Sequence, residues 1–145
     1  MITVSQLHQA TTKFFDRYIA KNLDLPTTWS APKKTDGTSG LSPNGDRSGC
    51  YALLAGDEVK YVGVGRSWKK GRYQENALDA RIRAHGLLVD KATNTYITRD
   101  KWRALGIDSL VTIGFPHELF FLASALEDYL INELKPEGNG LGKGR

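Results

Sequence analysis

The chain has 145 residues, with 40% hydrophobic and 25% charged side chains. That composition fits one ordinary globular domain with a modest core. No apolar run approaches the roughly 18–20 residues that span a bilayer, and the polar and acidic residues within the first twenty do not make a signal peptide. No membrane partner and a cytoplasmic location are therefore expected, with delivery into another cell left open. Cys50 is the only cysteine, so no internal disulfide and no thiolate metal site is available. The net charge of +4 is unevenly spread: residues 1–59 balance, residues 60–103 carry +7, and residues 104–145 carry −3. A central basic block of this kind suits a polyanion-binding face, although a solvated surface carries the same charges.

In chain order, residues 3–20 space Val4, Leu7, Phe14 or Phe15, and Tyr18 or Ile19 about one helical turn apart, which predicts an amphipathic helix. A Gly/Ser/Pro/Asp-rich run through Ser48 follows, long enough to be functional or mobile. Residues 1–48 are thus expected to form an N-terminal helix and loop arm, separate from a main domain over 49–145. Two strand patterns, Cys50–Ala55 and Glu58–Val64, flank Gly56-Asp57, the kind of two-residue connection that closes a hairpin. In a regular hairpin Tyr51 faces Val62, so Tyr61 lies on the opposite face, and only a bulge or twist brings the two hydroxyls together. Asn76 and Asp79 suggest the start of a helix that Gly86 ends. Residues 110–113 read as a third strand, and Pro116 opens a long helix stopped by Pro136 and Gly138. The expected fold class is α/β of the α+β type: a small three-stranded antiparallel sheet flanked by helices.

Two ionisable residues sit oddly on their helices. Asp79 and Arg83, four apart, are expected to pair on a solvent face. That leaves Arg81 beside Leu78, Ile82 and His85, where it needs a partner, a purpose or a route to water. In the last helix Glu127 neighbours Ala123, Ser124, Leu130 and Ile131, whereas Asp128 looks toward the polar side. A carboxylate at the rim of an apolar stripe is costly unless paired or metal-bound; a structural ion pair with Arg81 is the competing account. Taken singly, Tyr51 and Tyr61 are ordinary strand formers.

Gly49-Cys50-Tyr51 followed after nine residues by Tyr61-Val62-Gly63 resembles the paired tripeptides that name the GIY-YIG nuclease superfamily. Arg81-Ile82-Arg83-Ala84-His85 is similar to the family's helix with an arginine and, four residues on, a histidine. Glu127, then Leu130-Ile131, Pro136 and Asn139 resemble its closing motif. The resemblance spans residues 49–139, with a longer segment between Gly63 and Arg81 that looks more like the restriction-enzyme branch. It implies a Mg2+-dependent endonuclease acting on DNA, double-stranded DNA favoured, with Mn2+ as a substitute ion. It implies Glu127 as metal ligand and Arg81 on the phosphate. Tyr51 becomes general base, with Tyr61 positioning water or phosphate and nearby positive charge favouring the phenolate, and His85 assists proton transfer. Gly63 and Asn139 are read as structural braces. Arg66, Lys69, Lys70 and Arg72 are read as DNA-backbone contacts, and Trp68 or Trp102 as a base-step wedge. A restriction-type enzyme or a DNA-degrading toxin, with a homodimer or an immunity protein as possible partner, fits this reading. A catalytically inactive nucleic-acid-binding module on the same scaffold is the alternative.

Overall fold

The computed structural model describes residues 1–25, 28–66 and 77–140. Its elements are α1 (Val4–Tyr18), β1 (Lys33–Lys34), β2 (Ser48–Ala55), β3 (Glu58–Gly65), α2 (Ala77–His85), β4 (Leu87–Asp90), β5 (Thr95–Thr98), α3 (Asp100–Arg103), β6 (Ser109–Phe115) and α4 (Phe121–Leu134). The class is α/β. The three expected strands form the antiparallel body β6-β2-β3, which the two-residue β1 extends to four; β4 and β5 make a second, two-stranded sheet. Strand β2 is paired on both sides and buried along nearly its whole length, hence its run of apolar residues without polar alternation. Among the described residues no helix is long and apolar enough to cross a membrane.

The β2–β3 hairpin holds the register expected near its turn, with Ala55 opposite Glu58 and Leu54 opposite Val59. It then slips: Leu53 faces Tyr61, and Tyr51 faces Gly63 rather than Val62. Lys60 is the extra residue of this β-bulge. One inserted residue inverts the side-chain alternation beyond it, which moves Tyr61 onto the same face as Tyr51. The bulge is held from outside the hairpin. The Gly138 N–H donates to the Lys60 carbonyl at 2.7 Å, and Lys60 Nζ lies 3.1 Å from Glu137 and 3.3 Å from Glu58.

Helix α1 is part of the main body rather than a separate arm. Its N-terminus carries a capping box in which Thr3 and Gln6 satisfy each other's backbone N–H groups, a reciprocal use of two otherwise orphaned donors. Leu7, Ala10, Phe14 and Phe15 join Cys50, Ala52, Leu54, Val62, Val111, Ile113, Leu126 and Leu130 in one core. An amphipathic stripe records only that a helix must be covered, and here the covering elements are α4 and the sheet. The loop expected to separate arm from body instead wraps the sheet. Trp29 is buried and donates to Thr11 Oγ1 at 2.9 Å, and β1 pairs with the outer edge of β6.

The same loop starts α2. The Leu78 and Asp79 N–H groups donate to the carbonyls of Arg47 and Gly45, satisfying two first-turn donors that a helix leaves open. Asn76, the expected cap, lies outside the described residues. The Asp79–Arg83 pair forms at 3.1 Å, but the Asp79 side chain is buried rather than solvent-facing, because it also accepts the Ser42 N–H at 3.0 Å. At the other end, Gly86 has no left-handed φ, and the chain runs directly into β4. Helix α4 ends as Lys135 takes the left-handed conformation (φ 49°, ψ 60°), ahead of Pro136.

Candidate active site

Helices α1 and α4 cover one face of the sheet, and α2 covers the other. At the β3 edge both α2 and α4 reach a common cleft. Three glycines allow close packing around it. A Cβ on Gly65 would stand 2.7 Å from Leu78 Cα and 2.8 Å from the Ala77 carbonyl, so α2 can lie this close to β3 only over a glycine. A Cβ on Gly63 would stand 2.5 Å from Tyr51 Cζ; the tyrosine ring crosses β3 through the space that side chain would fill. A Cβ on Gly49 would run into the Ile113 carbonyl.

The cleft is a cavity of ≈ 540 Å³ lined by Tyr61, Val64, Arg66, Arg81, Ser124, Glu127 and Asp128. Glu127 is only 7% exposed, one turn of α4 from Ala123 and Leu130. Asp128, placed by helix periodicity on the polar side, is exposed yet shares the cavity wall. Ser124 precedes Glu127 by three residues and therefore lies on the same helical face. Arg81 reaches the cavity from α2 with its side chain exposed. Ion pairs among the described residues include Lys60–Glu58, Lys60–Glu137, Arg83–Asp79 and Arg103–Asp36.

Behind the cavity wall lies a group of partnered aromatic rings. The Tyr51 and Tyr61 ring centroids are 6.0 Å apart. The Tyr51 hydroxyl lies 2.8 Å from His85 Nδ1, so the histidine is bonded to a side chain rather than to backbone. The Tyr61 and His85 rings each pack on Trp102, at 4.7 and 5.1 Å. Trp102 is fully buried and is a core residue, not a base-step wedge. The β4–β5 hairpin and α3, neither expected from sequence, bring it there. Arg99 N–H donates to the Gly86 carbonyl at 3.0 Å. Arg99 Nη2 donates to the Arg83 carbonyl and Trp102 Nε1 to the His85 carbonyl, both at 2.9 Å. These donors satisfy carbonyls at the C-terminus of α2 and fix the backbone that carries His85.

Electrostatics separate the two tyrosines. Burial pushes Tyr51 well above the usual phenol value, and the Arg81 charge that opposes it is the smaller effect. The expectation of a phenolate favoured by nearby positive charge is thus corrected, because desolvation disfavours the charged form more strongly. Tyr61, which faces the cavity, is raised by burial and Glu127, while Arg81 and Tyr51 pull it down. His85 is lowered from 6.5 to about 4 by burial and by Arg81, Lys101 and Arg99; it is a neutral imidazole near pH 7.

Asn139 ties the segment after α4 to the β3 edge. Its Oδ1 accepts the Val62 N–H at 2.8 Å and its Nδ2 donates to the Val62 carbonyl at 2.9 Å. Tyr51, Tyr61, Arg81, His85, Glu127, Gly63 and Asn139 are therefore gathered at one edge of the sheet. Arg66 is exposed at the cavity mouth, while Lys69, Lys70, Arg72 and Trp68 lie outside the described residues. Among the described residues no three His, Cys, Asp or Glu side chains converge on a metal position; the carboxylates at the cavity are Glu127 and Asp128. Comparison with protein-family models, curated proteins and solved structures found no match.

Proposed function

We propose that the chain is a magnesium-dependent endonuclease of the GIY-YIG type that hydrolyses DNA phosphodiester bonds. The observation that carries this reading is the single cleft to which β3, α2 and α4 contribute Tyr61, Arg81 and Glu127, with Tyr51 and His85 hydrogen-bonded directly behind. A cation, a carboxylate and a chain of phenols are what phosphodiester hydrolysis asks of a protein: charge neutralisation, a place for a divalent ion, and a path for a proton.

The donor set fits magnesium. That ion takes oxygen ligands, keeps several waters and is held by one or two carboxylates plus substrate phosphate; Glu127 on the cavity wall, with Asp128 beside it, matches that demand. When bound, the ion polarises a phosphoryl oxygen and makes its coordinated water more acidic. Manganese serves in the same place.

Arg81 pairs its planar donors with the non-bridging phosphate oxygens, a role that suits guanidinium better than ammonium. Tyr61 holds the attacking water from the cavity wall. The water's proton is relayed along the Tyr61 and Tyr51 hydroxyls, whose inner end lies 2.8 Å from His85 Nδ1, and is returned to the departing oxygen. A neutral His85 keeps that nitrogen available as an acceptor, and Tyr51, held as a phenol by burial, is the donor to it. The general-base role is thereby shared along the chain of hydroxyls rather than resting on a free phenolate. Arg66 meets the DNA backbone at the cleft mouth.

Supercoiled plasmid is the direct test. We expect cleavage with magnesium or manganese and none in chelator. Glu127→Ala and Arg81→Ala should each lose on the order of 10²–10³ in rate, with unchanged circular dichroism and melting. Undiminished cleavage by both variants, or cleavage in chelator, overturns the mechanism. Binding without cleavage by the wild type identifies a binding module instead. Discrete cut ends favour a restriction-type role, and random ends a degradative one.

A further inference from the structure

Strand β3 is an edge of the four-stranded sheet, so alternate residues turn their backbone N–H and carbonyl away from β2. Along most of the strand these outward groups are taken. Near the turn the Val59 N–H donates to the Ile2 carbonyl at 2.7 Å. At the bulge the Lys60 carbonyl accepts the Gly138 N–H. Beyond it Asn139 takes both the N–H and the carbonyl of Val62, at 2.8 and 2.9 Å. From there the pairing is regular, with Val62, Gly63 and Val64 opposite Ala52, Tyr51 and Cys50. The period of two therefore turns the N–H and carbonyl of Val64 outward like those of Val62. Among the described residues neither group of Val64 has a partner beyond the hairpin. Val64 is half-buried and lines the cleft with Arg81, Ser124 and Glu127. The clamp on the β3 edge stops where the cavity begins.

We propose that the Val64 N–H is a substrate contact, donating to a non-bridging oxygen of the phosphodiester held in the cleft. This rests on the nuclease reading and adds to it a donor that no side chain supplies. A half-buried backbone N–H costs free energy unless water or a ligand bonds it, and an edge closed at every earlier outward position shows that the fold has the means to cover it. The bonds to Val62 and Lys60 fix the strand beside it, so the donor is oriented before the ligand arrives and needs no reorganisation. Its neutrality matters in this cavity. A further cation would pair with Glu127 or Asp128, whereas an amide adds to Arg81 on the phosphate without competing for those carboxylates. The phosphate offers acceptors only, so it meets the N–H, and the Val64 carbonyl is left to water.

Amide-to-ester exchange tests the donor while keeping the side chain: Val64→α-hydroxyisovaleric acid, made by semisynthesis, puts an oxygen where the N–H was. The same exchange at Val59 weakens the preceding carbonyl equally and is the control. Titration with a short DNA duplex in EDTA, read by anisotropy, should give about ten- to hundredfold weaker binding at Val64, the worth of one hydrogen bond to a charged group. At Val59 affinity should hold while the melting temperature falls, because the bond to Ile2 is lost. Valine-selective amide NMR of the wild-type protein needs neither variant to fold. The Val64 signal, assigned by its loss in Val64→Leu, should move downfield on adding duplex, and in the free protein it should exchange with solvent faster than Val62. Full affinity in the Val64 ester, an equal loss in the Val59 ester, or a Val64 signal that duplex leaves in place overturns the contact. Exchange as slow as at Val62 in the free protein overturns it too. Magnesium-dependent cleavage with a stationary Val64 signal removes the contact and leaves the nuclease reading. A shifted signal and a weakened ester without cleavage keep the contact and remove that reading.

Discussion

The two faces of the central sheet are built from the same strands and serve opposite ends. Toward α1 and α4 the sheet presents Cys50, Ala52, Leu54, Val59 and Val62 to Leu7, Phe14, Leu126 and Leu130. This face is apolar, and its polar side-chain contacts include Trp29 to Thr11 and Cys50 Sγ to the Ala123 carbonyl. Toward α2 the alternate residues of β2 and β3 present Tyr51, Leu53 and Tyr61 to His85 and Trp102. Here most of the large rings carry a polar atom, and Tyr51 and Trp102 have theirs bonded. Buried polar groups cost free energy unless partnered, so a protein that needs hydroxyls and an imidazole inside must spend its packing freedom on satisfying them. The first face is where stability accumulates, although its helix α4 also carries Glu127 to the cleft; the second is where the buried hydroxyls and the imidazole are kept ready.

That division predicts that the two faces can be damaged separately. Leu7→Ala, on the stability face in α1, should cost about 2–5 kcal/mol by chemical denaturation, while cleavage per folded molecule stays at the wild-type level. Equal loss of activity and stability would mean that the faces are mechanically one. Gly63→Ala acts on the other face: its Cβ must displace the Tyr51 ring. A shift of about 1 Å in a catalytic group can cost on the order of 10²-fold in rate, and that loss should far exceed the accompanying change in melting. A Gly63→Ala enzyme of normal rate would break the link between the glycine and the tyrosine.

What could be read from sequence was whatever is written in local periodicity. The hairpin around Gly56-Asp57, the strand read at 110–113 and the helices carrying Arg81 and Glu127 all have their period in adjacent residues. So do the helix faces that single out Arg81 from Arg83 and Glu127 from Asp128, though Asp128 also reaches the cleft. The rest depends on partners far along the chain. The bulge at Lys60 is held by residues 137 and 138, the start of α2 by carbonyls at 45 and 47, and the burial of Trp102 by α2 and β3. Strands of two to four residues such as β1, β4 and β5 are too short to show a period at all.

Asn139 joins the two faces, since it ties the end of the stability helix α4 to the tyrosine strand. Asn139→Ala leaves the N–H and the carbonyl of Val62 without their partner. The cost should be about 1–3 kcal/mol in denaturation experiments. Because Lys60 and Tyr61 adjoin the freed edge, cleavage should fall as well, by less than in Gly63→Ala. Unaltered activity in this variant would show that the bulge holds its register without the clamp.

The effect most diagnostic of the polar face is the charge state of His85. Its folded value of about 4 lies below the ordinary 6.5 because burial and the cations Arg81, Lys101 and Arg99 disfavour the protonated ring. A group whose folded pKa is depressed in this way binds protons more readily when unfolded. Its contribution to stability is therefore fully present above pH 6.5 and is lost as pH falls from there toward about 4. Wild-type protein should lose stability relative to His85→Gln across that window and not above it. The matching spectroscopic test is a ring-proton NMR titration, with the signal assigned by its absence in His85→Gln: its midpoint should lie near 4. A midpoint near 6.5 would mean a solvated, chargeable imidazole, and Nδ1 would then not be reserved as the acceptor for the Tyr51 hydroxyl in mildly acidic solution. The distinction between the two faces would survive that result, but the proton path along Tyr61, Tyr51 and His85 would not.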